Sequence, residues 1–182
     1  METALTCLGL GIALGTLAAI LWSVAHPSRR LWPPDDYTTW TPFLVWIPTF
    51  ILFGILIVLG ILGWGSLPLP AWVRFGLGVP LILFGNAAVW FEVSRFGIAQ
   101  TGGAVGELRT GGLYRHSRNP QYVADLVMIL GWMLLSAAPL VSVVGGAAIL
   151  ALLAAPFAEE PWLRAQYGSE FEGYASRVRR FL

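Results

Sequence analysis

The chain has 182 residues, a net charge of +1, 57% hydrophobic and 12% charged residues, and a mean hydropathy of +0.71. A water-soluble domain needs more polar surface than that, and so even a charge balance gives no electrostatic footing for nucleic acid. The apolar residues fall in long blocks, so an all-α, multi-span membrane bundle of about five transmembrane helices is expected, with an amphipathic helix near the end.

The first span reads Ala4–Ala25, about 30 Å at 1.5 Å per residue. Glu2 precedes it with no positive charge, and no small-x-small site follows it, so a retained span rather than a cleaved leader is expected. Gly9, Gly11 and Gly15 would let a neighbouring helix approach closely. The single cysteine, Cys7, lies in this apolar run, has no internal partner and reads as a packing residue. Residues 26–41 form a polar loop in which Pro33 and Pro34 block a helix and Trp32, Tyr37 and Trp40 suit a membrane interface. His26 there has no metal-ligating neighbours, and no metal site is expected anywhere.

The second span, Pro42–Trp64, contains Pro48, which can bend it. The third, Leu69–Val93, carries Asn86 and Glu92. Asn86 lies deep and needs a hydrogen-bond partner within the bundle, whereas Glu92 either meets water or faces a site. Residues 94–119 are a long polar connection rich in glycine, among them Gly97, Gly102, Gly103, Gly106, Gly111 and Gly112. No strand precedes them, so a phosphate-cradling loop is excluded and a mobile connection is expected.

The connection ends in GGLYRHSRNPQY, Gly111–Tyr122, which crowds Arg115, His116 and Arg118 against Asn119, Pro120 and Tyr122. Two apolar runs follow, Pro120–Ala137 and Leu140–Ala155, with only Ala138–Pro139 between them: a helical hairpin with a tight turn. Pro120 suits the first turn of a helix. Asp125 lies about one and a half turns inside, where a carboxylate needs a polar cavity or a cation. After the hairpin come Glu159 and Glu160. Leu163, Tyr167, Phe171, Tyr174 and Val178 then recur at helical spacing, with Gly168 as a stop and Ser169 and Glu172 as a capping box. This tail is expected to lie in the interface as a lid.

There is no lysine, so all 11 basic residues are arginines. Five spans place Arg29, Arg30, Arg95, Arg109, Arg115, Arg118, Arg164, Arg177, Arg179 and Arg180 on one side and leave Arg74 near the other. The positive-inside rule makes the crowded side cytoplasmic and puts the N-terminus outside, in a membrane of the bacterial inner type.

A hairpin brings the Asn119–Tyr122 and Glu159–Glu160 ends together. The resulting niche combines arginines, tyrosines and two carboxylates beside lipid. S-adenosylmethionine matches it: a carboxylate for an arginine fork, an ammonium and ribose hydroxyls for glutamates, an adenine and a sulfonium for aromatic faces. Methyl transfer depends mainly on in-line positioning, so the lack of a catalytic triad is no obstacle, and no residue is singled out as catalytic. The same residues also have a plain reading, as arginines flanking a span and glutamates meeting water.

Thr110, Gly112, Leu113, Tyr114, Arg115, Arg118, Asn119, Pro120 and Tyr122, then Glu159, Glu160 and Leu163, then Tyr167, Gly168, Phe171 and Tyr174, resemble the isoprenylcysteine carboxyl methyltransferase and phospholipid N-methyltransferase superfamily in order and spacing. The resemblance covers Thr110 to the end of the chain. It implies a three-span region over 1–93 and a methyltransferase-like region over 94–182, within one structural domain. It implies an S-adenosylmethionine site at the cytoplasmic membrane face, contacted by Arg118, Asn119, Tyr122, Glu159 and Glu160 with Tyr114, Tyr167 and Tyr174 near, and a lipophilic acceptor entering from the bilayer among membrane lipids. Asn119 and Leu113 depart from the pattern's usual histidine and proline, and Asn119 cannot carry a proton as histidine can. Asp125 also resembles an acidic residue of membrane sterol and steroid reductases, which implies NADPH as an alternative cofactor. A non-catalytic member of the superfamily is the third alternative.

Overall fold

The computed structural model describes residues 1–34, 36–96 and 106–182, residues 95 and 96 by backbone alone. Gly97, Gly102 and Gly103 of the expected mobile connection, and the Arg95 side chain, lie outside the described residues. The described residues are helical, with no strand among them. Helix α1 is Glu2–Ala25, α2 is Thr41–Leu62, and α3 opens with seven π-wound residues, Trp72–Gly78, before continuing as Val79–Phe96. Helix α4 is Pro120–Ser136, α5 is Pro139–Tyr167 and α6 is Ser169–Ala175.

Among the described residues, four segments are long and apolar enough to cross a bilayer: Glu2–Ala25, Thr41–Leu62, Trp72–Ser94 and Pro139–Tyr167. Helix α4 is apolar but shorter; its 17 residues extend about 25 Å. The expected count of about five thus resolves into four long crossings and one short helix packed between α3 and α5. Leu14, Leu21, Phe50, Ile57, Ile61, Leu83, Phe84 and Trp90 remain exposed, an apolar girdle that only lipid would cover favourably.

The hairpin turn is as tight as expected. Ala137 adopts the left-handed conformation, Ala138 is extended, and Pro139 starts α5. The end of α5 differs from the sequence reading. The helix does not stop near Ala155 but continues for 29 residues through Pro156 and Pro161. At about 43 Å it outreaches a hydrocarbon core of about 30 Å, so its last turns project from the membrane. Glu159 and Glu160 therefore sit within a helix, not after one. Each proline removes one backbone donor, and tertiary cover offsets that: Pro156 is fully buried.

Two seams hold the bundle. Along α3 and α4, backbones approach directly: a Cβ on Gly85 would lie 2.6 Å from the Ala124 carbonyl oxygen, and one on Gly78 2.9 Å from the Leu135 nitrogen. Small residues permit that approach. Between α1 and α5, Ile20 packs on Ala151, Ala155 and Ala158. Deeper in, Leu56 and Leu59 of α2 join Ala13, Val141 and Val144, and the Trp132 indole donates to the Leu56 carbonyl at 2.7 Å.

Of three local expectations, two are corrected and one, the partner of Asn86, is met. Only Gly9 of the α1 glycines meets another helix, at Val144 and Ile55, while Gly11 and Gly15 face open space. Asn86 is exposed on α3, and its amide donates to the Met128 sulfur of α4 at 3.8 Å, the partner within the bundle that it was expected to need. The expected capping box is absent: Gly168, not Ser169, occupies the N-cap of α6 and has no side chain to bond, and the Glu172 carboxylate pairs with Arg164 at 3.1 Å.

Candidate functional site

One end of the bundle gathers the polar motif stretches into a pocket. Its walls come from Trp32 and Pro33, from Glu107, Leu108 and Arg109, from Tyr114, from Arg118, Asn119, Gln121 and Tyr122, and from Glu159, Trp162, Leu163, Tyr167, Phe171 and Tyr174. The hairpin brings α4 and α5 together here. Glu159 Oε1 accepts a hydrogen bond from the Tyr122 hydroxyl and a second, at 2.7 Å, from the Trp32 indole. No described residue bonds Glu159 Oε2.

Trp32 reaches Glu159 across 127 positions because the first loop folds back on α1. The Ser23 hydroxyl donates to Ala19 O at 2.7 Å and accepts from the Leu31 and Trp32 amides at 2.9 and 3.0 Å. One serine thus anchors the loop that carries the indole. Nothing in the local sequence separates this tryptophan from an interface anchor, which is how it reads beforehand.

Glu92, of undecided role in the sequence, is buried and accepts from the Leu113 amide at 3.2 Å. It fixes the 3-10 turn Gly112–Arg115, which delivers Tyr114 to the pocket. Burial holds the Tyr114 phenol well above its ordinary range, aided by the Glu159 and Glu92 carboxylates. Within the same stretch Arg115 and His116 are exposed and do not line the pocket.

Seven of the eight residues singled out in the sequence line the pocket: Tyr114, Arg118, Asn119, Tyr122, Glu159, Tyr167 and Tyr174. Glu160 does not. Consecutive helical residues point about 100° apart, so with Glu159 facing the pocket Glu160 turns behind it. There it is buried, and it binds Arg118 Nη2 at 2.7 Å and Arg180 Nε and Nη2 at 2.7 and 2.8 Å. Arg118 Nη1 donates to the Ala175 and Val178 carbonyls, and only Nε of that guanidinium lacks a partner among the described residues. The Asn119 amide donates to Arg180 O at 2.9 Å. These two side chains border the pocket, but their hydrogen bonds run mostly to residues 175–180.

Helix α6 is the lid. Phe171 and Tyr174 are buried, and the Tyr174 hydroxyl donates to Tyr114 O at 2.7 Å. Burial pushes its pKa up to about 12. The Tyr167 hydroxyl donates to Gly106 O at 2.7 Å, tying the wall around Glu107–Arg109 to α5. Gln121, an unmarked position inside the Asn-Pro-x-Tyr run, lines the pocket with its side-chain nitrogen buried and without a partner among the described residues. Asp125, one turn deeper on α4, is not in the lining and forms no hydrogen bond or ion pair with a described residue. No metal-ligating cluster occurs among the described residues.

A multi-span helical bundle with a polar, aromatic-walled pocket at one end of a proline-started hairpin defines a class of membrane protein. Residues 73–170, 98 of the 182, match the phospholipid methyltransferase family, and the chain belongs to that family. A steroid 5-alpha-reductase DET2 of Solanum lycopersicum is similar as well, 32% identical over 68 residues. That stretch is 36% of this chain and 25% of the reductase, so the chain matches only a quarter of that relative's length. No solved structure matches.

Proposed function

We propose that the chain is an integral-membrane S-adenosylmethionine-dependent methyltransferase whose acceptor is lipophilic and enters from the bilayer. The observation that carries this reading is Glu159, a carboxylate in an aromatic pocket, with one oxygen bonded by Tyr122 and Trp32 and the other without a partner among the described residues. The donor set suits the cofactor. Glu159 and Glu107 offer carboxylates to an ammonium or ribose hydroxyls, Arg109 offers a guanidinium, and Trp32, Tyr114, Trp162 and Phe171 offer faces to an adenine or a sulfonium. The buried Gln121 side-chain nitrogen calls for an acceptor that the described chain does not supply.

The pocket encloses 140 Å³, against roughly 300–1,000 Å³ for small-molecule sites. A nucleoside-sized ligand therefore requires the Glu107–Arg109 wall to stand further out, and the Tyr167–Gly106 bond is the contact that would give. The cofactor supplies an electrophilic methyl group. The chain's part is to bind, to orient and to keep water away, which suits a site without an acid–base pair dedicated to chemistry.

In this reading the pocket end is cytoplasmic. Arg29, Arg30, Arg109, Arg115, Arg118, Arg164, Arg177, Arg179 and Arg180 lie on elements at that end. Arg74, at the other, donates to Leu135 O at 3.1 Å near the end of α4.

A reductase using NADPH is the second reading, favoured by the match to the steroid 5-alpha-reductase. Calorimetric titration of the purified protein in nanodiscs separates the two. S-adenosylhomocysteine binding without NADPH binding is expected, and the converse would replace the first reading with the second. A radiolabelled methyl-transfer assay on total membrane lipid then identifies the acceptor.

A further inference from the structure

We infer that Arg180 is a positioning residue for this pocket, acting through Glu160 and through the backbone of residues 179 and 180 on Arg118 and Asn119. The inference rests on the proposed cofactor site. A single buried carboxylate, Glu160, holds two arginines far apart in sequence, Arg118 from the start of the hairpin and Arg180 from beyond the lid. Arg180 binds it with two nitrogens, Nε to Oε1 and Nη2 to Oε2, the fork geometry that fixes a guanidinium in orientation as well as distance. Its Cζ also lies 4.0 Å from the centroid of the Phe157 ring, on the same helix as Glu160.

That side chain pins its own backbone, and the backbone grips the pocket wall. The Arg118 amide donates to Arg179 O at 2.9 Å. The Asn119 side chain and the Ser117 hydroxyl donate to Arg180 O at 2.9 and 3.3 Å. Arg118 Nη1 reaches Ala175 O and Val178 O. Thus Ser117, Arg118 and Asn119, which lead directly into Pro120 and Tyr122, take their register from residues 175–180. Without the Arg180–Glu160 fork, Glu160 keeps Arg118 and a distant Arg164 at 3.9 Å, and the strap loses its side-chain anchor. The Arg118–Asn119 wall is then free to shift against Tyr122 and Glu159.

A strap that only staples the fold would change stability and leave ligand affinity alone. The test uses the full chain in nanodiscs, comparing wild type, R180M and R180K by S-adenosylhomocysteine titration, thermal midpoint and amide hydrogen exchange over residues 117–123. For R180M we expect an affinity loss of about tenfold or more, since small misplacements in a preorganised site carry penalties of that order. Exchange at the Arg118 amide should quicken, and R180K, which keeps the charge without the fork, should recover part of the affinity. Unchanged affinity with a lowered midpoint overturns the inference, as does no change in either. If wild type itself binds no S-adenosylhomocysteine, the proposed function fails. The exchange arm then still decides the positioning: faster exchange at Arg118 in R180M supports it, and equal exchange overturns it.

Discussion

Replacing Glu159 by glutamine separates ligand binding from fold integrity. Oε1 is the atom that accepts from Tyr122 and Trp32, and a glutamine carbonyl can accept both bonds in its place. The internal scaffold should therefore persist, with the thermal midpoint close to that of wild type. What changes is the other oxygen, which becomes an NH2 group and can no longer accept, together with the loss of the negative charge. A hydrogen bond from a ligand donor to a charged group contributes about 1.5–3 kcal/mol, equivalent to about 10–150-fold in Kd. Titration of S-adenosylhomocysteine into E159Q should show a loss in that range. A Kd within about twofold of wild type, with an unchanged midpoint, would refute the placement of a ligand donor at Glu159 and with it the observation on which the functional reading rests.

Further outcomes follow from other parts of the structure. Gly85→Ala sets a Cβ against the Ala124 carbonyl oxygen, 2.6 Å away on a backbone that cannot swing aside, and should destabilise the bundle by about 1–3 kcal/mol in a chemical denaturation series; no loss would mean that α3 and α4 are not in backbone contact. Asp125→Leu should leave stability unchanged or raise it, because the carboxylate has no partner among the described residues and an unpaired acid within a span is costly; a loss of more than about 1 kcal/mol would reveal a partner. Tyr174 has its phenol pKa raised from 10.0 to about 12, so its contribution is present in full below pH 10 and is lost as pH climbs toward 12. Thermal midpoints should therefore fall over that interval, in a chain without lysine to titrate there, and Y174F should flatten the fall; an identical slope in the variant would refute it.

The membrane class, the tight hairpin and seven of the pocket-lining residues are legible in the residues themselves. Blocks of apolar side chains cannot be covered except by lipid, Ala-Pro between two such blocks leaves room only for a turn, and that turn forces Tyr122 and Glu159 to one end. Such features depend on spacing along one stretch of chain. Other features depend on which way neighbouring side chains point and on partners distant in sequence. The paired glutamates look equivalent until α5 is seen to run unbroken past them, when the helical twist turns Glu159 into the pocket and Glu160 behind it. Asn86 reads as deep until Gly85 beside it is seen to be the residue on the α4 seam, which leaves Asn86 exposed and joined to α4 through the Met128 sulfur.

By itself the sequence determined that this chain lives in a bilayer and that its polar motifs meet at one membrane face, because hydropathy and turn chemistry are local. Only tertiary structure decided that Trp32 closes the pocket, that Glu92 holds the motif turn, and that Arg180 shares a buried carboxylate with Arg118. Each of those contacts joins residues from different helices or loops, 20 to 127 positions apart. Their energy depends on geometry that no periodicity encodes.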